Sequence, residues 1–481
     1  MHINALFISS LIADSCYVRF DENGNTVPIP LHLATASLVP ITPRSELVVS
    51  GATWWNLDPT IPDITDFFLQ ARANGVSTVV VAPHHYQQIM ALPVDAWKNL
   101  EFLILPDTRQ ALFEATTSWR SQCLVPIVAV TGSLGKTTTV DMLTAIFAVD
   151  RLPVLVVPAG ISSVAELAIK MLHITSKHLA AVFEVGTMPP GEMRRCADLM
   201  RPTIAIITAI CPAYLEDSGG LDHIASEKQQ IFSYFSPSQV GIVCGDYPML
   251  TSHFYEHPVV RFGLKNKNVV TARKVTLFRD EHGMNKTKLV LRVYDYEREV
   301  ILSGHHRGLV YGALAASALA HFLYVPFEVM VKGLAAYIPT AGGLHQYALR
   351  DGRGMLMQDS HSISPESVKA SLHAVHESGT LQSRKIAVLG MIPYLGARTS
   401  FWHRHVGREL IKTRSISDIV LVGEDTRPIR AVAPATMNIW FAPEWSDVQG
   451  QVERLLAPSD NVLLISGAAP LSMNRLITEL V

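Results

Sequence analysis

The residues best placed to do chemistry lie between Pro126 and Leu143, PIVAVTGSLGKTTTVDML. A short apolar run, Ile127 to Val130, meets a turn of small residues, then Gly135-Lys136-Thr137-Thr138, then a helical pattern. A strand, a small-residue loop and a helix N-terminus together make an anion cradle. The loop amides of Thr131, Gly132, Ser133 and Gly135 can turn toward a phosphate, and the helix adds the positive end of its dipole. In such a cradle Lys136 neutralises the β- and γ-phosphates, the Thr137 hydroxyl holds Mg²⁺, and Thr138 opens the helix. The spacing departs from the commonest phosphate loop, because Val130 rather than Gly stands six residues before Lys136. A plain Gly/Ser turn capping an α/β helix is the alternative use of the same residues.

Other chemistry-bearing residues need the rest of the chain to place them. Glu184 closes the apolar run Ala180 to Phe183. In a doubly wound sheet that end lies on the ligand-binding edge, as Lys136 does. A carboxylate there is either solvated or paired with a cation, for which Mg²⁺ is the natural candidate. Lys228 lies on a helical pattern from Leu221 to Phe232 and by itself reads as a surface lysine. His84-His85 is expected on a solvated turn rather than on a metal, since adjacent loop residues rarely converge on one ion. Trp54-Trp55 is expected in packing rather than under a base or sugar.

The elements that must position these residues fall into three regions. From 1 to 122, short Pro-cut β runs give way to a helix after Ile64, a turn at Asn74-Gly75, a strand Ser77 to Val81, a strand at EFLILP and a helix from Thr108 to Trp119. From 123 to 339, strands and helices alternate through the phosphate loop. A charged, alternating set of hairpins follows, then the apolar helix LVYGALAASALAHFLYV. From 340 to 481, strand–loop–helix units recur, which indicates a parallel sheet wound with helices. The expected fold is α/β in three domains: a small N-terminal α/β domain, a central P-loop ATPase-like doubly wound sheet and a C-terminal Rossmann-like domain. A length of 481 residues agrees with roughly three domains.

Composition excludes several classes. Forty basic and 42 acidic residues leave a net charge of −2, which argues against a nucleic-acid-binding surface. The five cysteines show neither a CxxC nor a metal-ligand spacing, as expected of reduced thiols in a cytoplasmic protein. ALFISSLIA lacks the basic lead of a signal segment, and no apolar run reaches spanning length, so no membrane span is expected.

Four stretches in order carry a resemblance: TGSLGKTTTVDML, FEVGTMPPGEM, RPTIAIITAICPAYLEDSGGLDHIASEKQQIF and GALAASALAHFLYVPFEVMVKGLAAYIP. Together they resemble the Mur ligase family, most of all its branch that adds D-alanyl-D-alanine to a UDP-muramoyl tripeptide. The resemblance implies an ATP- and Mg²⁺-dependent ligase that phosphorylates a carboxylate and lets an amine attack the acyl phosphate. Its partners would be a small-molecule carboxylate and amine, its N-terminal domain would take a UDP-sugar-like substrate, and it would act as a monomer. It further implies that Lys136, Lys228 and Glu184 are catalytic, with Lys228 carbamylated. The same resemblance makes Thr137, Glu184 and Lys228 the metal side, and Asp359 a nucleotide contact beside Thr131, Gly132, Ser133, Gly135, Lys136, Thr137 and Thr138.

Departures from the family pattern are equally specific. Leu134 replaces a common Asn, and Tyr214 stands where the family has a metal-binding His. Gly312, with His305 and His306, falls where an adenine-contacting H-x-x-x-N is expected, and Gly343 replaces an Arg. Ser362 and Ser364 replace asparagines, and Met391 and Tyr394 replace acids. Three activities are compatible with this mixture. One is a Mur-type ligase on a non-standard substrate pair, which the intact charged residues favour. Another is the cell-wall D-alanyl-D-alanine ligase itself. The last is a non-catalytic nucleotide-binding paralogue.

Overall fold

The computed structural model describes residues 4–27, 38, 40–58, 60–158, 163–186, 191–212, 220–265, 267–281, 285–304, 307–338, 345–359, 364–380, 382–468 and 471–481. The chain divides into two compact units. One comprises Met1–Ile127, Pro153–Ala181 and Gly191–Pro202; the other comprises Val128–Leu152, Val182–Pro190 and Thr203–Val481.

The first sheet contains β1 (Cys16–Phe20), β2 (Thr26–Val27), β3 (Ile41–Thr42), β4 (Thr53–Trp55), β5 (Thr78–Val81) and β6 (Glu101–Ile104), in the order β2-β1-β6-β5-β4-β3. β3 to β6 are parallel, and β1 is antiparallel to both β2 and β6. All four residues of β5, TVVV, are buried. A continuous β-branched run of this kind suits a strand covered on both faces. The helices Thr65–Ala73 and Thr108–Gln122 form where the apolar periodicity predicts them, and Phe68 packs with Trp54, Val79 and Phe102. Trp54 and Trp55 are core residues, their indole N–H groups donating to the carbonyls of Pro43 (3.2 Å) and Thr108 (3.0 Å). The His84-His85 expectation is corrected. The pair opens the helix Pro83–Met90, because Pro83 at the first helical position presets φ and needs no N–H partner. His85 is fully buried, between Asn56 Nδ2 (3.1 Å) and the Ile61 carbonyl (2.8 Å). Part of the expected Pro-cut β stretch, residues 28–37 and 39, lies outside the described residues.

The second sheet contains β7 (Ile127–Thr131), β8 (Val154–Val157), β9 (Ala180–Glu184), β10 (Ile204–Ile207), β11 (Val240–Cys244), β12 (Val259–Phe262), β13 (Val270–Arg279), β14 (Asn285–Val293) and β15 (Tyr296–Ser303). Their order is β15-β14-β13-β12-β11-β10-β7-β9-β8. β7, β10, β11 and β12 pair in parallel, and β13 to β15 form the expected antiparallel extension. Within the second unit the helices Arg307–Phe322 and Phe327–Ala336 pack on the helix Lys136–Val149. The near-apolar ALAASALA face of the first of these is buried, as a packing helix requires.

The third sheet contains β16 (His345–Ala348), β17 (Gly354–Asp359), β18 (Arg384–Leu389), β19 (Ile416–Val422), β20 (Asn438–Ala442) and β21 (Asn461–Ser466), in the order β16-β17-β21-β18-β19-β20. All but the β16–β17 pairing are parallel. β20, NIWFA, has no counterpart among the expected strands; its alternating burial is an edge-strand pattern, weaker as a signal than the apolar runs of β18, β19 and β21.

One buried histidine makes the stability of this domain pH-dependent. His403, in the helix Thr399–Glu409, bonds through Nδ1 to the Thr399 carbonyl (2.9 Å) and accepts the Ile392 N–H at Nε2 (3.3 Å). Only a neutral imidazole can do both, and burial pushes its pKa below the ordinary value. The unfolded chain takes up this proton near pH ~6.5 and the folded chain does so only at lower pH, so stability falls as pH drops below ~6.5. The urea midpoint at pH 5.5 is expected below that at pH 7.5, and His403→Gln should reduce that difference.

Candidate active site

β7 is buried along its whole length, and the loop that leaves it is tied down from the neighbouring strand. Thr208, just past β10, donates its backbone N–H (2.9 Å) and its Oγ1 (3.1 Å) to the Thr131 carbonyl, and the same Oγ1 lies 2.5 Å from the Leu134 carbonyl. Ser133 N–H donates to the Ala209 carbonyl at 2.8 Å. Gly132 has φ 145°, and a Cβ there would sit 2.0 Å from Thr208 Oγ1. Glycine at 132 is therefore demanded twice, by backbone conformation and by the close approach of Thr208. Gly132→Ala is expected to lower stability by roughly 2–4 kcal/mol, since left-handed strain and a backbone-level clash add. Thermal unfolding measures this, and an unchanged midpoint would contradict the tie.

The helix Lys136–Val149 starts from Gly135, in the left-handed conformation (φ 81°). Lys136 Nζ donates to the Gly132 carbonyl at 3.0 Å, so its cation lies over the loop. Thr137 Oγ1 donates to Glu184 Oε1 at 2.9 Å. Glu184 is 3% exposed, and its charge is felt at Lys136, where desolvation nevertheless pushes the ammonium pKa down. Lys228 is 4% exposed, not on the surface as its helix alone implied. Desolvation, then the charge of Lys136, pushes its pKa down to about 7. The fold thus gathers Lys136, Thr137, Glu184 and Lys228 around one cradle. Thr131 Oγ1 and Ser133 Oγ are buried there without a hydrogen-bond partner among the described residues. Buried hydroxyls without partners are costly, and at a helix N-terminus they suit a phosphate.

Thr138 has a further contact outside this group. It packs against the helix Arg307–Phe322, where a Cβ on Gly312 would lie 2.7 Å from Thr138 Cγ2. Gly312 permits helix contact, and a larger side chain there would force the two helices apart. Asp359 lies on the third sheet, at the end of β17, where its Oδ2 accepts Ser371 Oγ at 2.7 Å. Ser364 caps the helix Pro365–Glu377 through Ser367 N–H (3.1 Å), a structural use for one replaced asparagine. Tyr214, His305, His306, Gly343 and Ser362 lie outside the described residues.

Two residues were missed in the sequence. One is Thr208, whose signal was a hydroxyl ending the apolar run of β10. The other is Cys211, buried, with Sγ 3.8 Å from Tyr247 Oη. Burial pushes the Cys211 thiol up to about 12, so it stays protonated, and it senses Glu366 and Lys369 of the helix Pro365–Glu377. The described residues contain no group of three or more His, Cys, Asp or Glu arranged to hold a metal ion, and no helix long and apolar enough to cross a membrane.

The profile of the Mur ligase middle domain matches residues 130–320. The UDP-N-acetylmuramoyl-tripeptide–D-alanyl-D-alanine ligase of Escherichia coli K12 is 27% identical over 452 residues, 93% of this chain and 94% of that protein. A crystal structure of MurF from Acinetobacter baumannii superposes with a TM-score of 0.78 at 22% identity, covering 99% of this chain and 98% of that one. MurF from Thermotoga maritima, solved in complex with ADP, gives a TM-score of 0.71 at 18% identity over 91% and 96% of the two chains. The α/β fold with three sheets is shared with these structures. Residues 130–320 thus match a Mur ligase middle domain, and over nearly its whole length the chain is similar in sequence and fold to ligases of that family, whose members form amide bonds with ATP.

Proposed function

We propose that this ligase joins a small-molecule carboxylate to an amine through an acyl phosphate, on a pair other than UDP-muramoyl tripeptide and D-alanyl-D-alanine. The observation that carries the acyl-phosphate chemistry is the gathering of Lys136, Thr137, Glu184 and buried Lys228 around one loop. A carboxylate oxygen of one substrate attacks the γ-phosphorus of ATP, the bond to the β-bridging oxygen breaks, and ADP leaves. The amine then attacks the acyl carbon, phosphate departs with the C–O bond pair, and the nitrogen loses a proton. Lys136 and the loop amides spread the charge on the transferred phosphoryl group.

Mg²⁺ fits the residues present: the Thr137 hydroxyl and Glu184 carboxylate are hard oxygen donors held 2.9 Å apart. These two would hold it, with Lys228, whose depressed pKa supplies the neutral amine that carbamylation requires, as the anion behind it. When bound, the ion would neutralise charge between the phosphates. Asp359 would contact the nucleotide. We assign residues 1–122 as the UDP-sugar-like substrate domain, 123–339 as the ATP-binding domain and 340–481 as the C-terminal ligase domain. We take the protein to be monomeric and cytoplasmic, where ATP is supplied; none of its cysteines is in a disulfide.

The non-standard pair is supported by Leu134, Met391 and Tyr394, which remove amide and acidic groups from the family pattern. The cell-wall reaction is the second reading, favoured by 27% identity along nearly the whole length of a D-alanyl-D-alanine ligase. Phosphate release from ATP and Mg²⁺ separates them. Turnover with other carboxylates and amines, and none with the cell-wall pair, supports the first; turnover only with the cell-wall pair establishes the second. Nucleotide binding without turnover on any pair would reduce the protein to a binding paralogue.

A further inference from the structure

The helix Thr399–Glu409, between β18 and β19, has a buried side made by His403, Val406 and Leu410 and a solvent side that is basic. Phe401, Arg404, Arg408 and Ile411 are exposed and follow one another at helical spacing, so they lie in one stripe. The Ile411 N–H donates to the Arg408 carbonyl (3.3 Å), which carries the stripe past Glu409. Phe401 is 51% and Ile411 46% exposed, so apolar surface stands beside the arginines. Arg398, Lys412 and Arg414 are exposed in the same segment.

Charge is one-sided here. From Ala397 to Ile416 the cations are Arg398, Arg404, Arg408, Lys412 and Arg414, and the one carboxylate is Glu409, in a chain whose net charge is −2. Glu409 is already engaged, since its Oε1 bonds His373 Nε2 (2.8 Å) and accepts from Lys412 Nζ (3.0 Å). Among the described residues Arg398, Arg404, Arg408 and Arg414 are in no ion pair. Guanidiniums left without carboxylates on one face attract an anionic partner. The neighbouring elements decide its shape. Right-handed crossovers between the parallel strands β17, β18, β19 and β20 put the helices Pro365–Glu377, Thr399–Glu409 and Arg427–Arg430 on one face of the third sheet, and the middle one packs against both others. Lys369 Nζ to His405 Nε2 (3.1 Å) and His373 to Glu409 close the seam between the first two.

A peptide docks in a groove or on an open sheet edge, and a closed helix seam is neither. A helix flanked on both sides by helices of its own layer cannot enter a nucleic-acid groove. An anionic plane fits: Arg404 and Arg408 stand about 6 Å apart along the helix, within reach of neighbouring phosphates, and exposed Phe401 and Ile411 suit the boundary below the headgroups. We propose that the exposed face of the helix Thr399–Glu409 is a docking surface for an anionic lipid bilayer, with Arg404 and Arg408 on headgroup phosphates and Phe401 and Ile411 in the interface beneath them. The attachment is peripheral, and it does not rest on the ligase reading.

Co-sedimentation of the whole protein with vesicles tests the surface. One set is phosphatidylcholine alone, the other phosphatidylcholine and phosphatidylglycerol in equal parts. The anionic vesicles are expected to bind at least tenfold tighter, and more weakly as salt rises. The double change Arg404→Glu with Arg408→Glu should weaken this binding at least tenfold. Phe401→Ser should weaken it severalfold and leave its salt dependence in place, because the arginines remain. All three positions are exposed, so each variant should keep the parent's melting midpoint and report on docking alone. Double-stranded DNA and polyglutamate are run as rival anions. Equal binding to both vesicle sets, no binding, or a double variant that binds like the parent overturns the proposal. Tighter binding of either rival anion than of the anionic vesicles also overturns it, in favour of a nucleic acid or an acidic protein. Phosphate release is measured on the same preparations. A protein inactive on every substrate pair that still sediments with anionic vesicles would count against the ligase reading and leave this surface standing.

Discussion

Lys136→Ala is expected to lower ATP-dependent product formation by roughly 10³-fold or more while leaving the protein folded. The ammonium lies 3.0 Å from the Gly132 carbonyl, at the start of the helix Lys136–Val149. Nothing else in the loop carries a positive charge, so its removal leaves the developing phosphoryl charge to the amides and to any Mg²⁺ held at the proposed site. Structurally, one hydrogen bond is lost, worth about 1 kcal/mol, and the thermal midpoint should shift by only a few degrees. Phosphate release and a melting curve on one preparation separate the effects. Full turnover in the variant would remove the phosphate-loop assignment.

Lys228→Met should move activity and stability in opposite directions. The amine is 4% exposed, its charged form opposed first by burial and then by Lys136. Holding it costs the fold free energy, because water solvates an ammonium far better than this interior does. Methionine fills a similar volume without the charge, so stability is expected to rise by on the order of 1–3 kcal/mol. If Lys228 is the anion behind the metal, turnover should fall by roughly 10²-fold or more, and more Mg²⁺ should be needed to reach half-maximal rate. A variant that is both more stable and fully active would make Lys228 a buried structural lysine. A variant that loses stability would mean that the amine is satisfied by contacts that Met cannot make.

These two lysines mark the boundary between sequence and structure. Lys136 was legible because its chemistry is local: strand, glycine loop, lysine and helix are contiguous, and the backbone itself builds the anion site. The runs of β5, β7, β9, β10, β18, β19 and β21 were legible for a related reason, since strands covered on both faces must be continuously apolar. Glu184 was half legible. Its place at the end of an apolar strand put it on the ligand edge, but the 2.9 Å bond to Thr137 depends on which strands are neighbours. Lys228 read locally as a surface residue, because helical spacing records which face a side chain is on and not what covers that face.

Only the tertiary structure decided the rest, because it rests on contacts between residues far apart in the chain. Thr208 reaches back across more than seventy positions to fix the loop and to demand glycine at 132. Gly312 marks a helix contact with Thr138. His85 is a core residue held by Asn56, and Trp445 is laid on glycines that close two separate strands. The sequence by itself determined the α/β class, the phosphate loop and the family resemblance, all carried by short contiguous patterns. Burial of Lys228 and the Thr208 tie needed the folded chain, since packing and charge coupling are set by distance in space and not by spacing along the backbone.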